Sequence, residues 1–153
     1  MKTRNAVVVA GVAAAALFAA VDRRARRFDL RGKTVLITGA RGLAFALAAR
    51  FQKEGAHVAL CARDADEIAD AERALPGVLG IVADVTMPGG GDGVVAAVRD
   101  RFGPVDVLVN NAGVIQVGPA EHMTRADYER AMRLHFFAPL DLSLAVLPDM
   151  RRR

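Results

Sequence analysis

Cysteine, tyrosine and serine occur once each in this chain, as Cys61, Tyr128 and Ser143. One cysteine excludes an internal disulfide and fits a reducing compartment. Lysine occurs only as Lys2, Lys33 and Lys53. The basic residues are not interleaved with aromatics and no zinc-ligand spacing occurs, which argues against nucleic acid as a partner. His57 begins a strand-like run and His122 lies in a loop; neither has a nucleophile or metal partner near it in sequence, so both read as structural or surface residues.

What the chain does have is apolar material. At 153 residues and 53% hydrophobic content it suits one domain with a real core. The formal charge is +4, and much of the excess is local, in Arg23, Arg24, Arg26 and Arg27 and again in Arg151, Arg152 and Arg153. From Ala6 to Val21 there is no charge, and with Asn5 the uncharged stretch is 17 residues, the lower edge of a bilayer span. Half of the run is alanine; its Val, Leu and Phe residues contribute only about −2 to −4 kcal/mol on an insertion scale. A cleaved signal peptide, a helix packed on the domain and a membrane anchor compete for it. Leu17 and Phe18 spoil the late cleavage sites. The anchor is favoured, and the four arginines after the run, outweighing Lys2 and Arg4 before it, put the domain on the cytoplasmic face. Residues 1–27 are thus expected to form the hydrophobic N-terminal segment, and 28–153 the domain.

From Phe28 the pattern alternates strand and helix. "KTVLIT" (33–38), "HVALC" (57–61), "VLGIVA" (78–83) and "VDVLV" (105–109) read as short buried strands. Between them Leu43, Leu47 and Phe51 recur at helical spacing. Asp64 and Glu67 are placed like a capping box before Ile68, Ala71 and Leu75. Val95, Val98 and Phe102 mark the next helix. Gly89 to Gly93 holds no basic or hydroxyl residue and reads as a flexible turn, not a phosphate site. Thr124 is expected to cap a last helix carrying Tyr128, Met132 and Leu142. The fold class is therefore α/β: a partial doubly wound parallel sheet of about four strands, preceded by the N-terminal hydrophobic helix. An unpaired fourth strand would be an open edge that invites self-association, so a homo-oligomer is an expectation too.

Four motifs fall at the carboxyl ends of these strands, where ligands bind in open α/β sheets: "TGARGLA" (38–44), "CARD" (61–64), "ADVT" (83–86) and "NNAG" (110–113). Gly39 and Gly42 suit a tight turn and close approach of backbone to a pyrophosphate at a helix N-terminus. Together the motifs resemble the short-chain dehydrogenase/reductase family, from about Asp29 to Arg153, in its N-terminal Rossmann half. The resemblance implies a nicotinamide dinucleotide as partner and hydride transfer to or from a carbonyl or alcohol carbon. It implies that Gly39, Arg41, Gly42 and Leu43 line the pyrophosphate loop. Asp84 and Val85 would sit beside the adenine, and Asn111, Ala112 and Gly113 on the ribose and nicotinamide side. Relatives that prefer NAD usually carry an acid where Arg63 stands; Arg63 with Arg41 suits the 2′-phosphate of NADP, so NADP is expected over NAD.

The sequence departs from the family in three places. Only Ala40 and Arg41 separate the first two glycines, one residue fewer than the single-domain branch has, and Ala44 stands where that branch has a third glycine. His135 occupies the position of the family's catalytic asparagine. Pro139, four residues on, cannot donate to the His135 carbonyl, which leaves that carbonyl free for the water-holding task the position has in relatives. The third departure is the family's serine and Tyr-x-x-x-Lys pair: the residue four after Tyr128 is Met132, and neither Ser143 nor the lysines supply the set. Two readings follow for these residues, an oxidoreductase of which the cofactor half is present, or a non-catalytic dinucleotide-binding or interaction module from a truncated gene.

Overall fold

The computed structural model describes residues 28–153; the expected anchor and the arginine cluster after it lie outside the described residues. Four strands, β1 (Thr34–Thr38), β2 (His57–Ala62), β3 (Leu79–Val82) and β4 (Val107–Val109), form one parallel sheet in the order β3-β2-β1-β4. Between them lie α1 (Leu43–Lys53), α2 (Ala65–Ala74) and α3 (Gly90–Phe102). After β4 come a short 3-10 turn (Ala120–His122), α4 (Arg125–Met132), a π-helical turn (Arg133–Phe137) and α5 (Ala138–Arg152).

The strands read as continuous apolar runs because both faces of the sheet are covered. Val35, Ile37, Val58 and Leu60 pack under α1 and α2 with Ala44, Ala48, Ile68 and Ala71. Leu36, Ala59 and Cys61 point the other way, against Val94 and Val98 of α3 and Ala138, Leu142 and Val146 of α5. The chain steps outward from β1 to β3 with its helices on one face. It then crosses back to β4 with α3 on the opposite face, as crossovers of constant hand require.

Three expectations need correcting. The helical spacing of Leu43, Leu47 and Phe51 does not mark a buried stripe at its first position: Leu43 is 65% exposed while Ala44 and Ala48 are wholly buried. The helix lies close enough on the sheet that alanines make the contact, with Leu47 and Phe51 flanking it. The glycine run is no free loop: only Gly89 precedes the helix, and Gly90 opens α3. A Cβ on Gly90 would lie 2.4 Å from the Asp84 carbonyl oxygen, and one on Gly91 3.5 Å from Leu142, so these glycines bring α3 down onto the β3 loop and α5. The last helix runs unbroken from Arg125 to Arg152 but is not regular: the π-helical turn joins α4 to α5. Thr124 caps α4, its N–H and hydroxyl donating to the Asp127 carboxylate at 2.8 and 2.7 Å, but Tyr128 and Met132 are half exposed and only Leu142, in α5, is core. Among the described residues no helix is long and apolar enough to cross a membrane.

Candidate functional site

β1 and β4 are neighbours, yet the chain leaves β1 toward β2 and reaches β4 from the far side, so the loops after the two strands diverge and leave a crevice at the carboxyl edge. Thr38, the last residue of β1, holds this edge together. Its buried hydroxyl accepts from the backbone N–H groups of Asn111 and Ala112, both at 2.9 Å. The Asn111 side-chain amide donates to the Thr38 carbonyl at 3.0 Å. Thr38 was not singled out from sequence; the signal available was a hydroxyl residue ending a strand whose neighbour ends in "NNAG".

The next two glycines have separate reasons. Gly39 has φ +98°, and a Cβ there would meet Asn111 Nδ2 at 2.9 Å. Gly42 has φ 55° and ψ −119°, a combination reserved for glycine, with open space around it. Ala44, at the place of a third glycine, directs its methyl into the core, where it is wholly buried.

The crevice is a cavity of about 590 Å³, within the ordinary range for small-molecule sites. Gly39 and Arg41 line it from β1, Arg63 from β2, and Asp84 and Val85 from β3; Asn111, Ala112 and Gly113 line it from β4. Gly42, Leu43 and His135 are not part of the wall. Cys61, the first residue of "CARD", and Leu134, which the sequence did not mark, are. Burial pushes the Cys61 thiol up to about 11, with the nearby Asp84 charge adding to the effect.

Charge is paired across this cavity. Arg41 Nη1 lies 3.4 Å from Glu67 Oε1, and Arg63 Nη1 lies 3.9 Å from Asp84 Oδ2; both guanidiniums are about two-thirds exposed. Ion pairs this long and this open are worth on the order of 0–1 kcal/mol, so an anionic ligand could displace them. Asp64 is engaged separately, accepting from the N–H groups of Asp66 and Glu67 at 2.9 and 3.2 Å as the cap of α2. Burial raises the Asp84 carboxyl, but hydrogen bonds from the Thr86 hydroxyl and N–H and the charge of Arg63 outweigh it, and its pKa ends below the ordinary value.

His135 lies behind the β4 loop. Its Nε2 is 2.9 Å from the Val114 carbonyl oxygen, and its ring would be 3.0 Å from a Cβ on Gly113. It sits in the π-helical turn, where the Ala138 N–H donates to the Arg133 carbonyl five residues back; the missing N–H of Pro139 is the local reason the α-helical ladder breaks there. The role expected for His135 rests on its backbone carbonyl; its side chain holds the loop after β4.

The model of the short chain dehydrogenase family matches residues 33–153. The chain belongs to that family. A sorbitol dehydrogenase from Cereibacter sphaeroides is 39% identical over 127 residues, covering 79% of this chain and 48% of the relative. The short chain dehydrogenase/reductase dpmpG of Macrophomina phaseolina is 34% identical over 129 residues, 80% of this chain and 74% of the relative. The crystal structure of L-sorbose reductase from Gluconobacter frateurii, complexed with NADPH and L-sorbose, superposes with a TM-score of 0.77 at 36% identity, over 82% of this chain and 51% of that one. The chain thus spans about half the length of the sorbitol dehydrogenase and of the sorbose reductase, and the matched half of a short chain dehydrogenase is the sheet β3-β2-β1-β4 with its carboxyl-edge crevice.

Proposed function

We propose that the crevice binds a nicotinamide dinucleotide, NADP in preference to NAD, and that the chain is the cofactor half of an oxidoreductase. The observation that carries this is the convergence of Gly39, Arg41, Arg63, Asp84 and Asn111 on one cavity at the carboxyl edge of the sheet. Gly39 and Gly42 let the backbone before α1 approach a ligand closely at these two positions, and the α1 N-terminus then offers N–H groups to a pyrophosphate. Arg63, at the end of β2, and Arg41, across the loop, turn from their carboxylates to a 2′-phosphate. Asp84 and Val85 flank the adenine; Asn111, Ala112 and Gly113 form the wall on the nicotinamide side. A bound nicotinamide supplies or takes a hydride at a carbonyl or alcohol carbon. For the proton that accompanies it these residues hold no donor: Ser143 spends its hydroxyl on the Pro139 carbonyl at 2.6 Å, and Tyr128 lines a separate surface hollow with Arg125 and Met132. That observation favours the second reading, a non-catalytic dinucleotide-binding module, for the described residues. We further propose that residues 6–21 anchor the domain to the cytoplasmic face of a membrane and that copies associate, with β4 as the open edge.

Calorimetric titration of NADP and NAD into the full chain and into Arg63→Ala tests the assignment. Tighter binding of NADP is expected, with Arg63→Ala weakening it by about 1.5–3 kcal/mol, the worth of a charge-assisted contact, and NAD affected far less. Equal losses for both nucleotides would remove Arg63 from the phosphate, and absence of binding by either would remove the dinucleotide reading.

A further inference from the structure

The edge of the sheet opposite the crevice carries a second feature. In a parallel sheet with antiparallel helices, every helix ends at the amino edge of the strands, and here each long helix ends in basic residues: Arg50 and Lys53 in α1, Arg73 in α2, Arg99 and Arg101 in α3, Arg151 and Arg152 in α5. Favourable interaction with the helix dipole accounts for each one singly. The fold gathers them. The Thr34 hydroxyl donates to the carbonyl of Phe102 at the end of α3, and the Gly32 N–H donates to Gly55 just past α1 at 2.8 Å. Gln52 of α1 donates to Pro76 just past α2 at 2.7 Å. Asp106 accepts from the Thr34 N–H at 2.9 Å and pairs with Arg153, beyond α5, at 3.1 Å.

Acids at this edge are largely engaged. Asp29 pairs with Arg31, Glu54 with Arg50, Asp106 with Lys33 and Arg153, and Asp149 with Arg99 and Arg152. Lys53, Arg101 and Arg151 are exposed and have no ion pair among the described residues; Asp100 is the acid there in the same position. At the crevice edge acids and bases are mixed: Asp64, Asp66, Glu67 and Asp84 stand with Arg41 and Arg63, and Glu67 and Asp84 pair with those two arginines. Phe28, at the point where the chain enters the domain, is 61% exposed, with Lys33 Nζ 5.9 Å above its ring. Immediately before it in sequence stand Arg23, Arg24, Arg26 and Arg27, preceded by the uncharged stretch Asn5–Val21.

We propose that this amino-edge face docks on an anionic phospholipid surface, leaving the crevice turned toward the aqueous side. The charge complements lipid phosphates and carboxylates, and the exposed Phe28 suits the interfacial layer; the four arginines that precede Phe28 in sequence have the same sign. A nucleic acid would be drawn by the same charge, but Phe28 is the one large exposed aromatic side chain described on this face, and a single ring makes no track for successive bases. The proposal does not require the anchor, because the residues that carry it belong to the folded domain.

The test uses the full-length protein with three kinds of vesicle: phosphatidylcholine alone, and phosphatidylcholine with a low or a high share of phosphatidylserine. The readout is the increment in binding that phosphatidylserine produces, which separates the domain from any apolar insertion. Each basic residue near such a surface is worth roughly fivefold in binding. The triple variant Lys53→Glu, Arg101→Glu, Arg151→Glu reverses three charges and should lose the increment by on the order of ten-thousandfold. The neutral set Lys53→Gln, Arg101→Gln, Arg151→Gln should lose about half as much on a logarithmic scale, and the increment should fall in high salt. A control reversal at the crevice end, Arg125→Glu with Arg133→Glu, should leave most of it. Unfolding midpoints of all variants verify folding; if the glutamate set is unfolded, the glutamine set decides. A control that loses as much as the triple variant, an increment unchanged in both triple variants, or tighter binding to a DNA duplex through the same three residues would overturn the proposal.

Discussion

Thr38 and Asn111 are bonded to each other twice, backbone N–H to hydroxyl at 2.9 Å and side-chain amide to carbonyl at 3.0 Å. The pair ties the carboxyl ends of β1 and β4 together at the point where the crevice opens. Removing the hydroxyl strands two partly buried N–H groups, those of Asn111 and Ala112. Thr38→Val should therefore lower unfolding free energy by about 2–3 kcal/mol, since an unsatisfied donor costs about 1–3 kcal/mol. Thr38→Ser should lose much less. Denaturant midpoints for the two variants check this; equal losses would show that packing, not the hydroxyl, matters.

The two glycines of the first loop should fail differently. Gly42→Ala meets open space, so its cost is backbone strain alone, about 1–3 kcal/mol. Gly39→Ala has strain plus a contact at 2.9 Å with the Asn111 amide. It should be the worse of the two and should also loosen the β4 loop, visible as faster amide exchange at Asn111 and Ala112. Matching exchange rates in both variants would contradict the clash.

Ala44→Gly restores the glycine of the family pattern and should not help. Its methyl is wholly buried against β1, so the change removes core packing and raises the cost of the first helical turn. A loss of about 1 kcal/mol is expected, with nucleotide affinity unchanged in titration. A clear gain in affinity would mean that the methyl obstructs the ligand path.

Glu67→Gln should favour NADP. Neutralising the partner of Arg41 at 3.4 Å leaves the guanidinium unopposed, and a severalfold gain for NADP with little change for NAD is the expected titration result. A gain shared equally by both nucleotides would place Arg41 on the pyrophosphate instead.

Cys61 should be inert in the native state. With its thiol pushed up to about 11 by burial and the nearby Asp84 charge, almost no thiolate exists at pH 8, and the nucleophile is the thiolate. Alkylation followed by mass spectrometry should show no labelling until denaturant is added. Rapid native labelling at pH 8 would contradict this environment.

Strand runs, helix spacing and the strand-end motifs were legible in the sequence because they depend on local periodicity and backbone chemistry. "KTVLIT" and "HVALC" are apolar throughout since a doubly covered sheet leaves neither face wet, and Asp64 or Thr124 caps a helix through bonds made within a few residues. The four motifs sufficed to put Gly39, Arg63, Asp84 and Asn111 at strand ends, hence on one edge. What only the tertiary structure decided was the set of contacts between segments distant in the chain. Leu43 and Ala44 compete for the inner face of α1, and the closeness of helix to sheet settled it for the alanine. Arg41 and Arg63 carry charge in any reading, but their neighbours Glu67 and Asp84 depend on how α2 and β3 pack. His135 meets Val114 across 21 residues, and the basic ends of four helices share one edge only because a parallel sheet forces every returning helix to finish on the same side.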